Sequence, residues 1–127
     1  MMDFPREGIG VLHLAAMARA AEVGQPLWAD VTTDLNANLL ILDDGQVVGR
    51  HVNGEVDVLL VGVDGHGLVE MNREIHEVGP GDAMLIPKGA ERAVRSAEGR
   101  FAYLTCHRRR EGVWPTGVRR PDQRPEP

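Results

Sequence analysis

A chain of 127 residues is the length of a single domain, and folding at this size hides roughly two-thirds of the unfolded surface, enough for one modest core. With 43% hydrophobic and 26% charged residues the composition excludes a disordered, fibrous or membrane-embedded chain. A formal net charge of −5 argues against a general nucleic-acid binder, which needs a basic face for phosphate.

The chain opens MMDFPREGIG, with neither a basic stretch nor a long apolar segment, so no signal peptide is expected. No apolar run approaches the roughly 20 residues of a membrane span, and the cytosol is the expected compartment. From 11 to 22 the alanine-rich VLHLAAMARAAE places Val11, Leu14, Ala15 and Ala18 at helical spacing, with Gly24 beyond as a C-cap; this predicts a short helix. The helix and its flanks, residues 1–29, form an N-terminal extension. A first strand is predicted over 32–42, returning at the tight-turn pair Asp44-Gly45.

Short apolar runs follow: VVGRHVN, EVDVLLVGV, GLVEMN, EIHEVG, DAMLIP, AVRSA and RFAYLTCHR. Runs of this length, punctuated by glycine and turn residues, predict an all-β sandwich or barrel over 30–110. Gly62, Gly65 and Gly67 bracket an expected hairpin, Gly79-Pro80-Gly81-Asp82 an expected turn, and Pro87 can end a strand because it donates nothing to the ladder. The tail 111–127 mixes proline with charge and has little to bury, so it is expected to be flexible unless Trp114 docks.

Cys106 is the only cysteine, which excludes an internal disulfide and any multi-cysteine metal site. It reads as a small core residue. Arg108, Arg109 and Arg110 form the one basic cluster, but Lys88 is the sole lysine among 14 basic residues, so arginine is this chain's general choice for positive charge.

Two spaced patterns between Asp43 and Ser96 resemble the cupin superfamily of small antiparallel jelly-roll barrels. In the first, a His-x-His pair precedes a glutamate by three or four residues and a glycine lies six residues beyond; here His51, Glu55 and Gly62 fit, and Gly49 stands at the first histidine's place. In the second, a glycine precedes Pro-x-Gly, and a histidine and an asparagine follow; Gly81, Pro87 and Gly89 fit, with Arg92 and Ser96 at the last two places. The resemblance implies one jelly-roll barrel with a short N-terminal helix, similar to single-domain cupins of undefined role. It implies no reaction, because the family includes enzymes, storage proteins and binding modules.

In such barrels two histidines and the glutamate of the first pattern, with the histidine of the second, surround a divalent ion. Here two of those places hold Gly49 and Arg92, and a guanidinium carries no lone pair for a metal. No metal and no other cofactor is therefore expected, and Arg92 is expected to neutralise Glu55 or Asp57 instead. His51, Asn53, Glu55 and Asp57 share one strand parity, opposite Val52, Val56, Val58 and Leu60. With Arg92 they form the expected ligand pocket, suited to a small polar molecule bearing a carboxylate or phosphate.

The alternatives are an enzyme that uses His51 or Glu55 as general base or as metal ligand, with His107 completing the set, and a non-catalytic interaction module. Trp28 and Tyr103 read as core residues. A homodimer is expected, with Val56, Val58 and Leu60 buried by a partner subunit or by the barrel's second sheet.

Overall fold

In the computed structural model the described residues are 11–21, 28–32 and 34–109, with the side chains of 28–31 left aside. They form one helix, α1 (Leu14–Ala20), and seven strands: β1 (Trp28–Val31), β2 (Leu35–Leu42), β3 (Val47–Val52), β4 (Val58–Met71), β5 (Glu74–Val78), β6 (Ala83–Ile86) and β7 (Glu91–Arg108). All pairings are antiparallel, in the order β1-β2-β7-β4-β5, with β3 on β7 and β6 on β4. The expected antiparallel all-β architecture with a short N-terminal helix is what the chain adopts.

The helix is shorter than the predicted 11–22. No side chain caps it at His13, and Ala21 is already extended (φ −81°, ψ 151°), so helical propensity alone does not carry it further. Its Ala18 is buried with Ile41 and Ala102 on the outer side of β2 and β7. The predicted strand 32–42 starts later, as β2, and a further strand, β1, precedes it and pairs with it; Thr32 closes the turn between them by accepting from the backbone N–H groups of Asp34 and Leu35 through Oγ1. β1 thereby crosses the 29/30 boundary. Gly24, Trp114 and the tail 111–127 lie outside the described residues, as does the side chain of Trp28.

The hairpin expected at Gly62, Gly65 and Gly67 is not formed. β4 runs straight through it, paired along β7, and the register slips at Gly62/Asp64 and around His66. Glycine here supplies bends within a strand. Gly65 takes φ +72° on β4 and Gly99 φ +70° on β7, conformations that cost glycine little and let a long strand coil. At Gly67 a Cβ would run into the ring of Phe101. The hairpin lies further on, at Asn72-Arg73, where both residues have positive φ (49° and 74°).

These two long bent strands carry the rest. β7 pairs β2 through 101–108 and β3 through 91–95. β4 pairs β6 through 58–61 and β5 through 67–71. The Asp44-Gly45 turn joins β2 to β3, which do not pair; it is pinned to β7 by Ser96, whose hydroxyl donates to Asp43 O (2.9 Å) and accepts from Gly45 N (2.8 Å). Ser96, at the second pattern's asparagine place, is thus a structural tie. The turn expected at 79–82 is present, closed by Asp82 Oδ2 accepting from Gly79 N.

The core lies between the inward faces and includes Leu42, Val56, Val58, Leu60, Val69, Val78, Ile86, Val94, Phe101 and Tyr103. Val56, Val58 and Leu60 are in it, so of their two expected fates they meet the opposite wall of the barrel. Phe101 and Tyr103 stack at 5.2 Å between centroids.

Candidate functional site

β3 positions His51 through a bulge. Val48 pairs with Val94 and His51 with Arg92, so three steps on β3 match two on β7, and Gly49 and Arg50 together oppose Ala93. Such an extra residue inverts the face on which every later side chain lies. Val48 and His51 accordingly both line the barrel cavity, while Val47, Gly49 and Arg50 line a groove of about 380 Å³ on the outer face, with Leu68, Glu70 and Arg95. The first pattern's missing histidine is lost twice over: the residue is glycine, and its position faces outward.

Inside, Arg92 Nε donates to His51 Nε2 at 3.1 Å. The His51 Nδ1 is 2.8 Å from Gly49 O, and only an N–H can donate to a carbonyl. The geometry therefore assigns the Nδ1–H tautomer, with the Nε2 lone pair turned toward the guanidinium. Arg92 is 9% exposed; His51 is on the exposed rim. With Tyr103, Thr105, Leu40, Val58, Leu60 and Ile86 they enclose about 40 Å³. That is room for on the order of one to three waters, well under a drug-sized pocket. Burial holds the Tyr103 hydroxyl neutral and pushes it up to about 12, while the nearby Arg92 charge pulls the other way.

The other expected pocket residues lie in the loop 53–57 that leads into β4. Asn53 is half-buried, and its Oδ1 accepts from Glu55 N (2.9 Å) and Val56 N (3.3 Å), so it shapes the loop as an Asx turn. Glu55 is exposed, and its backbone carbonyl meets Arg108 Nη2. Asp57 is exposed, and Oδ1 accepts from Lys88 N (2.8 Å), tying this loop to the Pro87 turn. The structure thus brings His51 and Arg92 together at the cavity, and sets Asn53, Glu55 and Asp57 in the loop between β3 and β4.

Sequence reasoning passed over a polar strip on the facing wall. Asn36, Asn38 and Leu40 share the inward face of β2; across from them on β7 stand His107, Thr105 and Tyr103. Asn36 and Asn38 are fully buried and His107 is 4% exposed. Asn38 Nδ2 donates to Thr105 Oγ1 (3.3 Å), and His107 Nδ1 donates to Arg108 O (2.9 Å). Both amide atoms of Asn36, and Oδ1 of Asn38, make no hydrogen bond among the described residues. Each such atom costs about 1–3 kcal/mol of desolvation. The available signal was the alternation in LNANLLIL, which sets two asparagines on the same face as Leu40 and Leu42.

The residues present do not fit the divalent ion usual in such barrels. Among the described residues no three His, Cys, Asp or Glu side chains converge, and the Arg92 guanidinium engages the imidazole nitrogen of His51 that would bind. What remains is a buried cation hydrogen-bonded to a neutral imidazole, beside a phenol and a threonine hydroxyl.

No protein-family model matches the sequence, and no curated protein matches it significantly. Solved structures do. BH2720 from Bacillus halodurans superposes with a TM-score of 0.74 at 20% identity, covering 91% of this chain and 92% of that one. A conserved protein of unknown function from Streptococcus pyogenes gives 0.67 at 24%, covering 87% and 98%. A cupin-2 domain protein from Shewanella frigidimarina gives 0.64 at 14%, covering 78% and 94%. The fold is that of the cupins.

Proposed function

We propose that this chain binds a small polar anion inside the barrel without a metal ion, Arg92 supplying the positive charge that a metal ion supplies elsewhere in the fold. The observation that carries this reading is the Arg92 guanidinium, nine-tenths buried at the cavity wall and hydrogen-bonded to His51. A fixed cation in a low-dielectric site favours a carboxylate or phosphate oxygen. The test is titration of untagged protein with propanoate and with inorganic phosphate, followed by NMR of the backbone and side-chain amides, alongside elemental analysis. The expected result is saturable binding of at least one of them, lost in Arg92→Gln, with well under one transition metal per chain. Stoichiometric metal on His51, or no response to either anion, would overturn it.

In the same reading two copies pair through the outer face of β2, β7, β4 and β6. Two cross-strand rows there, Ala37, Cys106, Leu59, Leu85 and Leu104, Val61, Ala83, contain no charge, and Leu85 is 73% exposed. A sheet face left to water normally carries polar residues in such rows. Sedimentation of the wild type as a dimer and of Leu85→Lys as a monomer is the expected outcome; a monomeric wild type removes the dimer.

A further inference from the structure

The strip opposite Arg92 defines what kind of anion fits. Asn36 and Asn38 stand next along β2 from Leu40, and Asn38 bonds Thr105; Leu40 and Thr105 line the same cavity as Arg92 and His51. Asparagine amides sealed from water and left without partners are rare in native interiors. The three atoms concerned are two carbonyl oxygens and one NH₂ group. Two acceptors and one donor call for a group that donates as well as accepts. A hydroxyl or a carboxamide does both, whereas a second carboxylate would satisfy the NH₂ and be repelled by both oxygens.

We infer that Asn36 and Asn38 are specificity-determining residues that receive a hydroxyl or carboxamide of the bound molecule, so that the ligand class is small hydroxy- or amido-carboxylates and not dicarboxylates. This rests on the proposed anion site and selects among its ligands. The resting cavity, about 40 Å³, ends at Leu40 and Thr105 short of the two asparagines, so binding has to open it along the strip, and only molecules of a few heavy atoms fit.

Three acids of equal carbon count test it: glycerate, propanoate and malonate, followed through the side-chain amide signals of Asn36 and Asn38 and the amides around Arg92. Glycerate is expected to bind at least tenfold more tightly than propanoate, with malonate no better than propanoate, and to shift the Asn36 side-chain resonances. In Asn36→Leu the glycerate preference should fall to about onefold while propanoate binding persists. Thermal unfolding of that variant should occur at or above the wild-type midpoint, because an unbonded amide has been removed. Equal binding of glycerate and propanoate, or an unchanged preference in Asn36→Leu, overturns the inference while the anion site stands. A folded Asn36→Leu with a clearly lowered midpoint also overturns it, since the amide would then be bonded in the resting protein. Failure of all three acids to bind wild type removes the anion reading itself.

Discussion

Arg50 and His51 are adjacent in the chain and lie on opposite sides of the same sheet. Outside, Arg50 grips Glu70 with two hydrogen bonds, Nε to Oε2 at 2.6 Å and Nη2 to Oε1 at 3.1 Å, with half the arginine side chain in water. Inside, Arg92 Nε donates to His51 Nε2 at 3.1 Å, and the arginine is 9% exposed. By distance alone the outer pair is the better contact. Energetically the order is expected to reverse, because solvent screens the outer pair more than the buried Arg92. Position relative to the sheet, more than bond length, sets what a polar contact is worth.

The largest effect should come from the inner face where it is wholly apolar. Phe101 has no exposure, stacks on Tyr103 and lies against Gly67, whose missing Cβ makes room for the ring. Phe101→Ala should lose roughly 3–5 kcal/mol in urea unfolding. A loss below about 1 kcal/mol would mean that the wall collapses freely, and the contrast between faces would lose its basis.

Next comes Tyr103, the only tyrosine in the chain and therefore readable alone by ultraviolet titration. Burial raises its folded pKa to about 12, above the ordinary value near 10. The neutral phenol's contribution is fully present below about pH 10 and is lost as pH rises through the folded value, roughly 3 kcal/mol in all. A midpoint near 10 in the folded protein would show an open cavity. Arg92→Gln should move the midpoint higher still, since the arginine charge favours the phenolate.

The third test addresses the inner pair directly. Arg92→Ala should cost about 2 kcal/mol through a lost charge-assisted bond and a lost aliphatic stem, and a double-mutant cycle with His51→Ala should give a coupling of about 1 kcal/mol or more. A parallel cycle with Asp57→Ala should give less, because that carboxylate is occupied by Lys88 N. Asp57→Ala alone should cost about 1 kcal/mol by freeing the Pro87 turn. If the Asp57 cycle shows the larger coupling, the barrel's cation is organised by that loop and not by His51.

How much of this was visible in the sequence divides along the same line. The glycine and proline punctuation at 44–45, 79–82 and 87 predicted the turns, and the placement of Gly62, Gly81, Pro87 and Gly89 predicted the barrel, because those residues answer to local backbone geometry. The bulge at Gly49-Arg50 was not legible. Nothing local distinguishes VVGRHVN with an extra residue from the same run without one, yet that residue decides which side chains face inward. The alternation of His51, Asn53, Glu55 and Asp57 failed for a different reason: β3 ends at Val52, so the last three belong to a loop and keep no strand parity with His51. The continuity of β4 through Gly62, Gly65 and Gly67 was hidden for a related reason: glycine permits both a reversal and a bend, and pairing with β7 chooses the bend.

The smallest effect belongs to the outer pair. Arg50 holds the Glu70 carboxyl below its usual range, chiefly through the hydrogen bond, with desolvation opposing, and the charges of Arg50, Arg73 and Arg95 adding to the downward shift; Glu70 in turn raises Arg50. Because the folded glutamate titrates below its unfolded value of about 4.5, any stability it lends is present above that value and is lost as pH falls through the lower folded one. A plot of unfolding midpoint against pH for wild type and Glu70→Gln should therefore show curves that part slightly above pH 5 and converge in acid. Molar salt should bring them together at every pH, since half of the Arg50 side chain, though only 19% of Glu70, is open to solvent. The inner pair, tested by Arg92→Ala under the same salt, should keep most of its effect. Equal salt sensitivity of the two variants would show that water reaches both faces alike, and the distinction between Arg50 and Arg92 would then have to be sought in geometry instead of burial.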